Sequence, residues 1–298
     1  MRTLVIGGTH FVGRHTVDVL LEHGHQVAVL NRGLSPDPLP SEVERLRADR
    51  TRPEEFLSAL EGRSFDAIVD CIGFRPAEVQ TVVERFRDQI ARYVFISSVS
   101  VYRPSGVLPI DESRPLVQES SWEYPRQKVE CEQALERAGR ERGFPWVSLR
   151  PAYIYGRYNG NPNAEFRFFA RVEQGGVVVV PGDGEFVFHQ THGRDLALAT
   201  VASLERDEAV GRIYNIAGAY AQTANEFVKA VGEAMGRPVA TALARGVTRR
   251  RDTAPFFFFQ TRPPQIYSIE RARRDLGWEP RFDIVEGLRD AYRWYVET

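Results

Sequence analysis

Residues 3–13 read Thr3-Leu4-Val5-Ile6-Gly7-Gly8-Thr9-His10-Phe11-Val12-Gly13, and this stretch decides the fold. The apolar run over residues 3–6 predicts a buried strand, the glycines predict a tight turn, and the pattern over residues 11–23 predicts a helix. A strand that passes through a glycine-rich turn into a helix opens a βαβ unit, and the helix N-terminus of such a unit binds phosphate. We therefore expect a pyrophosphate-binding loop made of Gly7, Thr9, His10, Phe11, Val12 and Gly13. His10 stands where the usual spacing has a glycine.

The rest of the first half repeats this alternation of strands and helices. Apolar runs predict further strands over residues 26–31, 67–71, 92–97 and 146–150, and amphipathic patterns predict helices over residues 53–59, 76–90 and 124–142. This order predicts an α/β fold, a Rossmann-type doubly wound parallel sheet with a smaller C-terminal substrate lobe. We place the dinucleotide-binding domain at residues 1–170, with a strand near 213–217 returning to it, and the substrate lobe mainly at 171–298.

Composition excludes several classes of protein. Hydrophobic residues make up 43% and charged residues 27% of the 298 residues, which is typical of a globular chain and not of a disordered one. The net charge of -1 gives no overall basic surface, so a nucleic-acid partner is not expected. Two cysteines do not make a disulfide framework, and no apolar run reaches the length of a membrane span. We expect a cytoplasmic protein without a metal site.

The end of the second predicted strand suggests which dinucleotide binds. A carboxylate at this place normally accepts hydrogen bonds from the ribose hydroxyls of NAD. The residues here are instead Asn31, Arg32 and Gly33. A planar guanidinium can bind a 2'-phosphate with two hydrogen bonds, so we expect NADP, with NAD as the alternative.

Two other segments are candidates for binding the same cofactor. Asp49 and Arg50 lie in a short turn where they could meet the adenine, although a plain surface turn explains the two charges nearly as well. Cys71, Ile72 and Gly73 end the next apolar strand, and ligands of such sheets bind at the carboxyl ends of the strands.

The strongest catalytic signal is a tyrosine and a lysine four residues apart, Tyr124 and Lys128, on one face of a predicted helix. A nearby ammonium lowers the pKa of a tyrosine, which suits the phenol for acid and base catalysis. A serine at the end of the neighbouring strand could bind the reacting oxygen. Ser98 follows that strand directly and is the first candidate for this role. Ser97 and Ser100 are the alternatives.

Taken in order, these motifs resemble the extended and atypical short-chain dehydrogenase/reductases of the NAD(P)-dependent epimerase/dehydratase family. The resemblance rests on the loop at residues 7–13, on residues 95–102, on the Tyr124 and Lys128 pair, on residues 149–156, 192–197 and 214–216, and on the closing residues 276–280 and 286–288. It implies that Ser98, Tyr124 and Lys128 are catalytic, and that the backbone around Pro151 and Tyr153 lies against the carboxamide of the nicotinamide.

The same resemblance implies an oxidoreductase or epimerase that acts on a small alcohol or ketone, most often a nucleotide-sugar. Dehydratases of this family carry an Asp-Glu pair where this chain has Val99 and Ser100, which argues against dehydration. His10 and the short C-terminal lobe are more similar to the atypical branch that includes chloroplast stem-loop RNA-binding proteins. An RNA-binding or regulatory protein that retains a dinucleotide pocket is therefore the alternative.

Three further expectations concern the second half of the chain and its partners. Arginines over residues 245–251 and at Arg262 could hold a substrate diphosphate, with solvated surface charge as an equal alternative. Residues 256–259 are expected in the core of the lobe, with the lining of a nucleobase or apolar substrate pocket as the alternative. The helices predicted over residues 76–90 and 124–142 could pair with the same helices of a second chain in a homodimer, as in many members of the family that this chain resembles.

Overall fold

The computed structural model describes residues 1–104, 106–118, 122–161, 164–245 and 264–298. The arginines over residues 246–251, Arg262 and the phenylalanines over residues 256–259 lie outside the described residues.

The strands in chain order are β1 (Arg2–Ile6), β2 (Gln26–Asn31), β3 (Glu44–Arg47), β4 (Ala67–Asp70), β5 (Arg92–Ile96), β6 (Trp146–Pro151), β7 (Tyr153–Tyr155), β8 (Val178–Pro181), β9 (Val187–Phe188), β10 (Gln190–His192), β11 (Arg212–Ile216), β12 (Gln222–Thr223) and β13 (Thr241–Ala244). The α-helices are α1 (Phe11–Glu22), α2 (Pro53–Ala59), α3 (Pro76–Phe86), α4 (Glu123–Arg142), α5 (Phe166–Glu173), α6 (Gly193–Glu205), α7 (Ala224–Met235), α8 (Glu270–Leu276) and α9 (Ile284–Glu297). Short 3-10 helices span Val99–Val101 and Asp207–Ala209.

Seven parallel strands form the central sheet in the order β11-β6-β5-β4-β1-β2-β3. The order reverses direction at β1, which is the topological switch point where doubly wound folds bind ligands. The α/β fold predicted from the sequence is confirmed. No apolar run predicted β3, which forms the edge of the sheet.

The strand register aligns the carboxyl ends of the central strands. Ile6 pairs with Leu30 on one side and with Asp70 on the other. The residues that follow these three therefore leave the sheet along one edge, and they include the phosphate loop, Asn31 and Cys71. This edge is where the candidate site lies.

Apolar side chains form three clusters. Two of them cover the two faces of the central sheet: one packs α1 and α6 against it and the other packs α3 and α4. The third joins α5, α7 and α9 with β8 and includes Phe169, Phe227 and Leu288, all without exposed surface. The predicted boundary between the two lobes, near residue 170, stays a prediction. Both α6 and β11 lie after that residue in the chain, yet they pack with the central sheet.

Within the described residues, no helix has both the length and the apolar character needed to cross a membrane.

Candidate active site

The phosphate loop begins where β1 ends. Gly7 has a φ of 89°, a value that suits glycine, and a Cβ at Gly13 would collide with the carbonyl oxygen of Gly7. Glycine at both positions thus lets α1 start directly above the strand. The first turn of α1 has no acidic residue, and the side chain of His10 does not cap it. Its N-H groups are therefore available to an anion, as a pyrophosphate site requires.

His10 itself adopts an extended conformation, with a φ of -127°. Any amino acid can take that conformation, so the backbone does not need the glycine that the usual spacing places here. The exposed imidazole leaves the loop geometry intact.

A cavity of about 490 Å³ extends from this loop along the edge of the sheet. It brings together most of the cofactor residues expected from the sequence, namely Gly7, Thr9, His10, Phe11, Val12, Gly13, Asn31, Arg32, Gly33, Asp49, Arg50, Cys71 and Ile72. Gly73, Lys128, Pro151 and Tyr153 do not line it.

Arg32 lines the cavity where β2 ends, and a second arginine, Arg47, lies beside the same turn. Arg32 follows β2 and is exposed, and Arg47 lies opposite Asn31 in β3. A Cβ at Gly33 would lie 3.0 Å from Nε of Arg47, so the second guanidinium is directly beside the turn. Among the described residues, no carboxylate forms an ion pair with either arginine. Arg47 was not predicted from the sequence, because the strand that carries it has no apolar pattern.

Asp49 and Arg50 both line the cavity, and the charged group of each has a partner within the protein. The Asp49 carboxylate accepts hydrogen bonds from the backbone N-H and the hydroxyl of Thr51, at 2.9 and 2.7 Å. Arg50 is 7% exposed, and its Nη1 donates to Asp70 at 2.5 Å. The guanidinium is thus held by a buried carboxylate at the cavity.

Asp70 is the centre of this buried network. It also accepts a hydrogen bond from the Tyr93 hydroxyl at 2.7 Å, and Glu78 lies 3.7 Å from Nε of Arg50. The nearby carboxylates raise the pKa of Arg50 against the effect of burial. The network fixes the floor of the cavity and was not foreseen, because only the fold brings these four residues together.

The three catalytic candidates lie on adjoining elements. Ser98 follows β5 and its Oγ accepts a hydrogen bond from the Ser100 N-H at 3.1 Å, while Tyr124 and Lys128 lie on the first turns of α4. Hydrogen bonding with the Ser98 side chain acts to lower the pKa of Tyr124. This interaction favours Ser98 over Ser97 and Ser100 as the serine beside the phenol.

The pKa of Tyr124 is raised, contrary to the lowering expected from Lys128. Burial causes the rise, and the hydrogen bond with Ser98 only partly opposes it. The Lys128 ammonium lies 5.8 Å from the centre of the tyrosine ring, and it donates to the backbone carbonyls of Gly73 and Ile96 at 2.9 and 2.6 Å. Tyr124 is therefore a neutral phenol, suited to donate a proton.

Lys128 is almost fully buried, and burial lowers its pKa to about 8. Besides the two carbonyls, aromatic rings surround it: Nζ lies 4.5 Å from the ring centre of Phe95 and 5.1 Å from that of Phe74. Phe74 lines the cavity and packs against Tyr124, which connects the cofactor cleft with the catalytic residues.

The segment after β6 leaves the same edge of the sheet as the segment that carries Ser98. Pro151 is buried at the end of β6, and Tyr153, half-buried, begins β7. Burial, and secondarily the nearby carboxyl of Glu165, raise the pKa of Tyr153. Burial also raises the pKa of Glu165 to about 7, although its carboxylate accepts hydrogen bonds from the Gly156 N-H and the Asn159 amide.

Cys71 is free and has a pKa raised to about 12, mainly by burial, so its thiol is unreactive at neutral pH. Among the described residues, no three His, Cys, Asp or Glu side chains form a group that could hold a metal ion.

Comparison with known proteins agrees with this geometry. The chain is 32% identical to the chloroplast stem-loop binding protein of 41 kDa b of Arabidopsis thaliana, over 98% of this chain and 78% of that protein. It is 26% identical to a 3-beta-hydroxysteroid dehydrogenase of Mycolicibacterium neoaurum, over 99% of this chain and 92% of that protein. It shares its fold, with a TM-score of 0.80 and 19% identity, with UDP-glucuronic acid 4-epimerase from Bacillus cereus in complex with UDP-glucuronic acid and NAD, over 100% and 99% of the two chains.

The family model described as "NAD dependent epimerase/dehydratase family" matches residues 3–217, which include the phosphate loop, Ser98, Tyr124, Lys128 and β11. The chain is a member of the NAD dependent epimerase/dehydratase family.

Proposed function

We propose that this protein is an NADP-dependent oxidoreductase or epimerase that acts on an alcohol or ketone group of a nucleotide-sugar. The observation that carries the proposal is the meeting of Ser98, Tyr124 and Lys128 next to Phe74, which lines a cavity that starts at an uncapped helix N-terminus. A binding module would need the cleft but not the three catalytic groups.

The nicotinamide, when bound, gives or accepts the hydride. The residues of the chain do the rest: Ser98 holds the reacting oxygen, and the neutral phenol of Tyr124 donates a proton to that oxygen during reduction. Lys128 uses two of its three N-H groups for Gly73 and Ile96, so one remains for the ribose hydroxyls of the cofactor. We place the cofactor carboxamide against the backbone of Pro151 and Tyr153.

The preference for NADP over NAD rests on Arg32 and Arg47. Two guanidinium groups without ion-pair partners in the described part of the chain flank the turn at Gly33, where the 2'-phosphate of NADP would lie. Replacing either arginine by Ala should weaken NADP binding about tenfold, the effect of one lost charged contact, and leave NAD binding unchanged. Arg52→Ala is a matched control on a nearby exposed arginine that pairs with Glu55. Equal loss of both dinucleotides would contradict the assignment.

The substrate class is supported by the neighbours. The Bacillus cereus structure contains a UDP-sugar, whereas the mycobacterial relative is named for steroids, so the shared chemistry is the oxidation or reduction of a carbon that bears oxygen. We propose a nucleotide-sugar and a cytoplasmic enzyme, and a homodimer through α3 and α4 stays a prediction.

Turnover tests the proposal. NADPH consumption with a panel of keto-sugar nucleotides, and isomerisation of UDP-sugars, should both be measured for the wild type and for Tyr124→Phe. Loss of the phenol should lower the rate by about 10²–10⁴, the usual contribution of a general acid. Tyr220→Phe, at a tyrosine that is 79% exposed, is the control. Unchanged turnover in Tyr124→Phe would refute the catalytic assignment.

A second candidate function, RNA binding, follows from the relative that is named a stem-loop binding protein. An RNA-binding protein of this kind would bind a stem-loop with an affinity that falls steeply with salt, because phosphate contacts release counterions. That binding would not change in Tyr124→Phe. The two measurements together separate the two functions.

A further inference from the structure

Two exposed aromatic side chains flank the phenol that is proposed to be catalytic. In the described part of the chain, three aromatic residues are exposed: Phe74, Trp122 and Tyr220. The ring centre of Phe74 lies 6.3 Å from that of Tyr124, and the ring centre of Trp122 lies 5.5 Å from it. Two of the three exposed rings thus contact the same residue. Exposed apolar side chains that lie together, rather than singly, mark binding surfaces.

Trp122 is held in place by the start of α4. It is the residue directly before that helix, and Tyr124 follows two residues later. The indole stacks on the phenol ring with an angle of 28° between the two planes, and 47% of the tryptophan is exposed. The indole therefore contacts the phenol and still has surface that a ligand can cover.

Phe74 connects this aromatic surface with the cavity. It is 44% exposed, it lines the cavity, and its ring centre lies 5.1 Å from Nζ of Lys128. Its backbone N-H donates to the Glu78 carboxylate at 2.9 Å, which fixes the segment before α3. The ring contacts thus form a continuous series from the cavity through Phe74 and Tyr124 to Trp122.

A substrate that reacts at Tyr124 must come close to these rings. Its reacting oxygen lies within about 2.6–3.2 Å of the phenol hydroxyl during proton transfer. Because the flanking rings are centred 5.5 and 6.3 Å from the tyrosine ring, atoms beside the reacting carbon come within van der Waals distance of at least one of them. Both flanking side chains are uncharged, so this contact suits an uncharged and partly apolar group.

We propose that Trp122, together with Phe74, forms an aromatic platform that binds the sugar ring of the substrate; this rests on the proposed function. A sugar ring has carbon-bound hydrogens on its faces and hydroxyl groups at its rim. The face packs on the indole, while a hydroxyl or keto oxygen at the rim meets Ser98 and Tyr124. The platform contacts the sugar and not the nucleotide.

The test compares UDP-glucose with UDP, which lacks the sugar. Calorimetric titration gives the Kd for each ligand in the presence of NADP, and the Kd for NADPH, for the wild type, Trp122→Ala and Trp122→Phe. The Tm of each variant shows whether the fold is retained. Tyr220→Ala is the matched control, because Tyr220 is 79% exposed and the described residues include no ring in contact with it.

We expect Trp122→Ala to weaken UDP-glucose binding about tenfold, the effect of one lost stacking contact. The Kd values for UDP and for NADPH should not change. Trp122→Phe keeps an aromatic ring and should weaken UDP-glucose binding by about threefold or less. Tyr220→Ala should leave all three Kd values unchanged.

Three results would overturn the platform. UDP-glucose binding that is unchanged in Trp122→Ala would show that the indole makes no contact with the ligand. Equal weakening of UDP and UDP-glucose would place the contact on the nucleotide, and weaker NADPH binding would assign the ring to the cofactor. A wild type that binds NADPH but neither UDP nor UDP-glucose would instead refute the nucleotide-sugar proposal, and the sugar ligand of the platform with it.

Discussion

The buried charge of Lys128 makes a quantitative prediction about stability and pH. Burial lowers the pKa of this lysine from 10.5 to about 8 in the folded chain, whereas the unfolded chain keeps the ordinary value. Between these two pH values the unfolded state binds more protons than the folded state. The contribution of Lys128 to stability is therefore unfavourable below pH 8 and becomes less so as the pH rises to 10.5.

The magnitude follows from the size of the shift. A difference of about 2.5 pH units corresponds to about 3 kcal/mol, since one unit is worth about 1.4 kcal/mol. Because Lys128 is almost completely buried, solvent does not screen the effect of its charge on stability. The two backbone carbonyls that it contacts do not titrate. Lys128→Met removes the titrating group but keeps an unbranched side chain.

Urea unfolding of the ligand-free wild type and Lys128→Met at pH 7 and pH 10 measures the effect. The free energy of unfolding of the wild type, relative to that of the variant, should rise by about 2–3 kcal/mol between these pH values. Other titrating groups cancel in the comparison. Lys229→Met serves as the control, because Lys229 is 78% exposed and forms only a helical ion pair with Glu233.

A difference that stays constant with pH, or that falls, would refute the reasoning. Either result would mean that Lys128 is not held as a buried cation in the ligand-free protein, and its proposed role at the cofactor ribose would lose its physical basis.

Two substitutions test the architecture of the cleft. Gly13→Ala should abolish NADP binding in a calorimetric titration, because the new Cβ meets the carbonyl oxygen of Gly7, whereas Gly160→Ala, at an open position, should bind normally. Arg50→Leu should lower the free energy of unfolding by about 3–5 kcal/mol, because it leaves the carboxylate of Asp70 buried without its partner. Urea unfolding measures this, and a loss below about 1 kcal/mol would show that the pair is not a buried ion pair.

The central strands were predictable because they are short apolar runs, and residues 26–31 form β2 within the predicted bounds. β3 was not predictable in this way. Only Leu46 among its four residues is buried, so the strand has no apolar pattern and exists because it pairs with β2. Tertiary pairing, rather than local propensity, decides such an edge strand.

The candidate site was predictable where its residues are close in sequence. The phosphate loop and the Tyr124 and Lys128 pair are local patterns. The contact between Arg50 and Asp70 and the contact of Phe74 with Tyr124 join residues 20 and 50 positions apart, so only the folded chain reveals them. The raised pKa of Tyr124 also depends on burial, which spacing along a helix does not give.

The most direct test of the central claim is the content and affinity of dinucleotide. Mass spectrometry of the nucleotide released from denatured protein, with calorimetric titration of NADP and NAD, measures both. We predict one site per chain that binds NADP more tightly than NAD, with retained nucleotide indicating an epimerase and reversible binding indicating a reductase. A protein that carries no nucleotide and binds neither dinucleotide would contradict the account.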